Sequence, residues 1–400
     1  MHSNIQKLYE IAGKSKRMII GLMSGTSLDG LDIALCAIEG SGQDTKVELM
    51  HFDTIPYSEE LKNEIRPVFS KKLVDLERLC LLNPWIALQH AAMINSCLKK
   101  WNISSSGIDL VASHGQTIYH APKRLHQQER YGNATLQIGD GDHLAVATGI
   151  ITISDFRQKN IAAGAEGAPL AVYGDRLLFE RKGEDRILLN IGGIANFTYL
   201  PGIDEKENIL CTDVGPGNTL MDAYTLEHFS GSSFDKDAEL ASAGKINDAL
   251  LAALKDDDFF KQKFPKTTGP ELFNLQYLQL AKQKSDSLLI SIEDTLATLN
   301  KFTADMIVAA IYDCIKNKSG IKIFVSGGGM HNPLLMQHLK EGLSRCSFHS
   351  TAENGIDPDA KEAVLFALLA NECVSGSFSS PEINSAGIPL IAMGKISFPV

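Results

Sequence analysis

The stretch Ile19–Ile38, IIGLMSGTSLDGLDIALCAI, decides the fold. Two apolar runs, RMIIGLM and LDIALCAI, flank glycine, hydroxyl and carboxylate residues from Ser24 to Gly30. That pattern predicts strand, tight turn, strand. The loop has the composition of a phosphate loop, yet no lysine follows its glycines, and G-x-x-x-x-G-K-[ST] occurs nowhere in the chain. It offers backbone N–H groups, the hydroxyls of Ser24, Thr26 and Ser27, and the Asp29 carboxylate. Glycines let a backbone approach an anion, and successive N–H groups make an anion nest. A hydroxyl or carboxylate there could hold Mg²⁺, directly or through water. A plain polar hairpin turn is the alternative.

Outward from this loop the chain repeats its plan. A third strand is expected in KVELMHFDTIPY, then helices in SEELKNEIRPVF and NPWIALQHAAMINSCLKKW, the latter with helical apolar spacing. GIDLVASHGQTIYH reads as a buried strand running into a polar loop, and GIITISDFRQKNIAAGAEGAPLA as a strand ending in a glycine-alanine loop. At RILLNIGGIANFTYL the opening returns: a strand meets Gly192-Gly193 and a second strand leaves it, followed by ENILCTDVGPGN and a helix in TLMDAYTLEHF. Two copies make a duplicated domain rather than a solenoid. From about Lys245 to Lys316 the pattern is mostly helical, interrupted by FPKTTGPELFN. The strand IKIFVS ends in Gly327-Gly328-Gly329 and opens a helix at Pro333 with Asn332 as N-cap. DAKEAVLFALLANECV is a final helix.

The bulk numbers bound the function. The chain has 400 residues, 44% of them hydrophobic, which is enough for two domains with real cores. A net charge of −10 argues against broad nucleic-acid or anionic-membrane binding. No apolar run approaches the roughly 18 residues of a membrane span, and the N-terminal segment has no apolar signal core. Seven cysteines without a C-x-x-C pair point away from zinc and disulfides and towards a reducing cytoplasm. Three glycine turns at strand ends, two of them in matching places, suggest a nucleotide held between two α/β lobes. The first lobe is expected over 1–155 and the second over 156–400, with the final helix free to pack back on the first.

This arrangement resembles the actin/hexokinase/heat-shock-protein ATPase superfamily, whose duplicated ribonuclease-H-like lobes flank a cleft. In detail the chain resembles the anhydro-N-acetylmuramic acid kinases. The stretches that carry the likeness run from about residue 19 to 370: GLMSGTSLDGLDIAL, SHGQTIYH, QIGDGDHLA, SDFRQKNIAAGAEGAPL, NIGGIANFTYL, TDVGPGNTLMDAY, FPKTTGPELFN, VSGGGMHNPLLM and KEAVLFALLA. Jointly they are specific, and no single one is. The resemblance implies that water opens the internal glycosidic bridge of 1,6-anhydro-N-acetylmuramic acid. The freed O6 then takes the γ-phosphoryl group of ATP, giving N-acetylmuramic acid 6-phosphate in cell-wall recycling. ATP and Mg²⁺ are the implied cofactors and the sugar the implied partner, with a homodimer left open.

Site residues follow from motif and position together. Gly25, Thr26, Ser27, Leu28, Asp29, Gly30, Leu31 and Asp32, with Gly192, Gly193, Gly327, Gly328 and Gly329, are the nucleotide candidates. Asp29 is the candidate Mg²⁺ contact. Asp213 ends a strand beside Gly215-Pro216-Gly217, where a carboxylate is exposed to a ligand and could deprotonate water. It is the candidate base, with Asp155 as its rival. Glu362 could orient sugar hydroxyls or water, or simply favour its helix dipole. Arg157 could pair with the lactyl carboxylate. His114 and Gln116 are candidate sugar hydrogen-bonders, with Gly139, Asp140, Asp142, Gly215 and Asn218 shaping the same region.

Two departures from the family pattern stand out. Ala165 and Glu166 occupy a turn that is usually Gly-Gln, and Pro270 stands where Arg is usual, which puts that loop's ligand contact in doubt. Rival readings are a chaperone- or sensor-type ATPase of the same superfamily, a serine hydrolase at Ser24 or Ser27, and a dinucleotide-binding oxidoreductase. Neither serine matches G-x-S-x-G, and no complete G-x-G-x-x-G follows a strand.

Overall fold

A computed structural model describes residues 2–25, 28–168, 170–202, 209–229, 234–350, 357, 359–376 and 391–400. The described chain forms two compact units, Met1–Leu178 with Gly355–Val400, and Phe179–Asn354.

In the first unit the opening motif is a hairpin of β1 (Lys16–Ser24) and β2 (Gly30–Glu39), paired antiparallel from Lys16↔Glu39 to Met23↔Asp32. β3 (Lys46–Pro56) continues the meander. β4 (Leu110–Ala121) and β6 (Thr152–Ser154) add on parallel to β1, and β12 (Lys395–Ser397) closes that edge. β5 (Ala134–Ile138) pairs antiparallel with the end of β4. The sheet order is β12-β6-β4-β1-β2-β3.

The alternation along β1 explains its two coverings. Ile20 and Leu22 join a core with Ile86, Ala91 and Ile94 of the helix Leu76–Lys100. The opposite face carries Gly21, where the helix Lys361–Ser375 crosses so closely that a Cβ would lie 1.9 Å from the Ala363 carbonyl oxygen.

The second unit repeats the order. β7 (Arg186–Ile191) and β8 (Ile194–Leu200) form the second glycine hairpin, and β9 (Leu210–Pro216) follows antiparallel. β10 (Ile321–Ser326) and β11 (Cys346–Ser350) run parallel to β7, giving β11-β10-β7-β8-β9. In each unit an antiparallel three-strand meander is extended on its first strand by two parallel strands. That is the ribonuclease-H-like order, present twice. Its core joins Ile187, Leu189 and Phe197 to Ile307 and Ile311 of the helix Ile292–Ile315. A second cluster, rich in phenylalanine, lies among the helices that follow β9.

Several local expectations need correction. SHGQTIYH is a continuation of β4 rather than a loop, because β5 supplies its pairing partner and Thr117, Ile118 and Tyr119 suit a strand. SDFRQKNIAA ends β6 and then forms the helix Phe156–Ala162. The helix expected from Asn83 begins at Leu76, capped by Asp75, and carries Pro84 inside it. Proline favours a helix's first turn, yet here the helix begins two turns earlier.

Candidate active site

In the second unit the candidates converge around the β7–β8 turn. The Gly192 carbonyl accepts from Asn218 N (2.8 Å), and the Gly193 carbonyl accepts from Gly217 N (2.8 Å) and Thr219 N (3.1 Å). These bonds tie the turn to the start of the helix Thr219–His228. Asn218 Nδ2 donates to the Ile191 carbonyl at 3.3 Å. Gly327, at φ +84°, packs so tightly on the end of β7 that a Cβ would lie 2.6 Å from Asn190 Oδ1. Turn, helix start and Gly327–Gly329 therefore form one glycine-lined patch.

Asp213 lies on β9 of the same unit, half-buried. Its Oδ2 accepts from Thr268 N at 2.9 Å, and its own N–H donates to the Lys266 carbonyl at 3.0 Å. The PKTTG loop is thereby bound to the carboxylate's strand. Gly215, at φ +155°, faces Phe260.

In the first unit Thr26 and Ser27 lie outside the described residues. Leu28 and Leu31 bury their side chains in the core, which leaves only their backbone for a ligand. Gln116 is fully buried, and its Nε2 donates to the Gly25 carbonyl at 3.2 Å. The amide holds the first hairpin turn, where the sequence suggested a sugar contact. Ser24 Oγ donates to the Gly115 carbonyl at 3.0 Å on the same strand pair.

Asp32, Glu362 and Arg157 form an electrostatic group. Desolvation, then the Asp29 and Asp359 charges, push the Asp32 carboxyl up against the lowering effect of its 2.6 Å bond from Thr54 Oγ1. Glu362 meets solvent at the start of the helix Lys361–Ser375. Desolvation first and Asp32 next hold it above the usual range, opposed by Arg157 and Lys361. Arg157 donates from Nε to His114 Nε2 (2.9 Å) and from Nη1 to the Gly167 carbonyl (2.7 Å). His114 is buried against Phe366, with ring centroids 4.8 Å apart. Burial, then the Arg157 charge, push its pKa down to about 3. A neutral imidazole accepting at Nε2 carries its proton on Nδ1.

His114, Gly139, Asp140, Asp142 and the rival base Asp155 line a polar recess of about 260 Å³. Within it Asp140 caps the helix Gly141–Thr148, accepting from His143 N (3.0 Å) and His143 Nδ1 (2.7 Å). Burial raises its pKa, but the His143 bonds outweigh that and hold it low. Lys395 donates to Asp155. Asp140 and Asp155 thus have intramolecular partners that sequence alone did not show. Asn83, whose Oδ1 accepts from Gly139 N at 2.9 Å, and Asn160, which accepts from Gly167 N at 2.8 Å, also escaped sequence reading. Asn83 is a lone Asn on a helix outside any motif, and Asn160 stands in the SDFRQKNIAAGAEGAPL stretch without a pattern that marks its partner.

A duplicated ribonuclease-H-like sheet with a glycine turn between its first two strands defines the class, that of the actin-like ATPases. A family model described as anhydro-N-acetylmuramic acid kinase matches residues 17–391. The chain is similar to the anhydro-N-acetylmuramic acid kinase of Pseudoalteromonas atlantica, 55% identical over 403 residues and 100% of both chains. That of Caldanaerobacter subterraneus is 40% identical, over 98% of this chain and 100% of its own. That of Bacillus cereus is 37% identical, over 95% and 99%. The chain belongs to the anhydro-N-acetylmuramic acid kinase family.

Proposed function

We propose a division of labour by which this chain performs its family's reaction. It is an ATP-dependent sugar kinase that opens 1,6-anhydro-N-acetylmuramic acid and phosphorylates O6, yielding N-acetylmuramic acid 6-phosphate for cell-wall recycling. Asp213 takes a proton from water as the water oxygen bonds to C1. The C1–O6 bond breaks towards O6, O6 bonds to the γ-phosphorus, and ADP departs. The proton held by Asp213 is the one released overall. Thr268 N–H, on Oδ2, fixes which way the carboxylate presents itself.

Arg157 takes the lactyl carboxylate. Two of its nitrogens are spent on His114 and Gly167, which lock the guanidinium plane, and among the described residues Nη2 has no partner. His114 is read as a positioning residue for Arg157, and Glu362 as a group that orients sugar hydroxyls or water. Phosphates take the backbone at Gly25, Leu28 and Asp29 and at Gly192, Gly193 and Gly328. Mg²⁺ would suit the first unit's chemistry: the charges of Asp29 and Asp359 both help to raise the Asp32 carboxyl, and a cation there would favour its ionised form. Among the described residues no three metal-ligating side chains cluster, and Mg²⁺ held there would keep waters and phosphate oxygens among its ligands. When bound, it would neutralise developing phosphate charge. The cytoplasm is the proposed compartment.

The observation that carries this reading is the family match over residues 17–391, joined to the tethered Asp213 carboxylate. Mass analysis after incubation with Mg·ATP and 1,6-anhydro-N-acetylmuramic acid tests it. A product heavier by one phosphoryl group and one water is expected. ATP turnover indifferent to the sugar would favour the chaperone- or sensor-type alternative.

A further inference from the structure

We infer that Lys266 is a positioning residue for the Asp213 carboxylate, acting through a cage of three phenylalanines that fixes the loop it anchors. The inference rests on the reading of Asp213 as the base. Lys266 is only 8% exposed. Its Nζ lies 4.4 Å from the ring centroid of Phe259, 5.4 Å from Phe264 and 5.7 Å from Phe260, and donates to the Phe259 carbonyl at 3.1 Å. Among the described residues it forms no salt bridge. Burial pushes its pKa down, and the Asp313 charge opposes that.

A buried ammonium without a paired carboxylate is an expensive way to fill space, and an apolar side chain of that length would do so at lower cost. Cation–π attraction offsets part of the cost and depends on where the charge sits among the rings. The cage therefore fixes the lysine's position rather than adding bulk. The main chain shows what is gained. Lys266 N donates to Thr212 Oγ1 (3.0 Å), and the Lys266 carbonyl accepts from Asp213 N (3.0 Å) and Thr212 Oγ1 (3.2 Å). Two residues on, Thr268 N–H reaches Asp213 Oδ2. The side chain in the cage and the N–H on the carboxylate are thus two ends of one three-residue segment.

The test compares Lys266→Met, Lys266→Arg, Asp213→Asn and the Asp213→Asn/Lys266→Met double variant, reading sugar-dependent ADP release and thermal midpoint. Lys266→Met should lower kcat roughly tenfold, less than the ~10²–10⁴ of losing a base outright, because the carboxylate is present but misaimed. KM for ATP and for the sugar should stay within about twofold, since neither is held by the base. Lys266→Arg should recover most of kcat, because guanidinium also binds aromatic faces. The double variant should be no slower than Asp213→Asn, as expected for residues acting in series. Should Lys266→Met fail to fold, Lys266→Gln, whose amide can still donate to the Phe259 carbonyl, takes its place with the same expectation. Unchanged kcat in the folded Met or Gln variant overturns the inference, as does a loss that adds in full to that of Asp213→Asn. If Asp213→Asn is itself active while Lys266→Met is slow, the base assignment fails instead.

Discussion

The two glycines of the β7–β8 turn and Gly217, which lies against it, should respond in opposite ways to a methyl group. A Cβ at Gly193 would find its nearest neighbour, Thr219 Cβ, 3.9 Å away, and the residue lies outside the left-handed region. Nothing among the described residues requires glycine there, so Gly193→Ala should leave stability unchanged or raise it by about 0.4–1 kcal/mol through the unfolded state. What it should lose is anion approach. One charge-assisted N–H contact is worth ~1.5–3 kcal/mol, or roughly 10- to 150-fold in nucleotide affinity. At Gly217 a Cβ would lie 2.3 Å from the Gly192 carbonyl oxygen, where ordinary contact begins at 3.4 Å. A shift of about 1 Å is then forced on a turn held by three hydrogen bonds of 2.8, 2.8 and 3.1 Å. At a net ~0.5–1.5 kcal/mol each, Gly217→Ala should cost about 2–4 kcal/mol. Denaturant unfolding gives the stabilities, and calorimetric titration with a nonhydrolysable ATP analogue gives the affinities. Wild-type affinity in Gly193→Ala would remove phosphate from this turn, and an unchanged midpoint in Gly217→Ala would refute the packing argument.

Asp213→Asn should fold normally and bind nucleotide nearly as well, while sugar-dependent ADP release falls by roughly 10² or more. Near-normal release would return the base role to Asp155. Arg157→Lys should raise KM for the sugar about 10- to 100-fold with a smaller effect on ATP, because a point charge cannot replace a locked planar fork. Equal losses for a sugar lacking the lactyl carboxylate would disprove the pairing. Acid should destabilise the first unit through its buried imidazoles. Burial pushes His90 down to about 4, so below pH 6.5 the unfolded chain binds the proton that the folded chain refuses. Stability is lost as pH falls from about 6.5 towards 4, by up to ~1.4 kcal/mol per pH unit from this residue. Since Tyr57 Oη lies 2.8 Å from His90 Nε2, His90→Gln can keep a partner and should flatten that slope in unfolding curves from pH 7 to 5.

The first two strands of each unit were legible because each pair is written locally, as two apolar runs around a turn. That repeat and the strand ending in Gly327–Gly329 pointed to a duplicated domain, and the ribonuclease-H-like order was implied by the family resemblance they supported. What escaped was set by partners distant in sequence. Gln116 stood out as a candidate sugar contact, but its bond to the Gly25 carbonyl lies ninety-one residues away in sequence and could not be read there. Asp140 stands in a motif, but its carboxylate is spent on a helix cap with His143. Strand β12 is three residues long, too short for its alternation to register. Lys266 was read only as part of a loop, because its meaning lies in rings two, six and seven positions before it.

The crossing of Gly21 by the helix Lys361–Ser375 bears on the order in which the molecule is built during synthesis. Residues 179–354 form one uninterrupted run, so the second unit can acquire its core as soon as that run leaves the ribosome. The first unit has its first strand made early, yet the face bearing Ile19 and Gly21 awaits a helix more than three hundred residues later. Closing so long a loop costs entropy that only the finished contact repays. For most of translation this nascent sheet has one buried and one bare side, the state in which strands find wrong partners. Discontinuity in the chain thus makes the first-born half of the protein the last to mature.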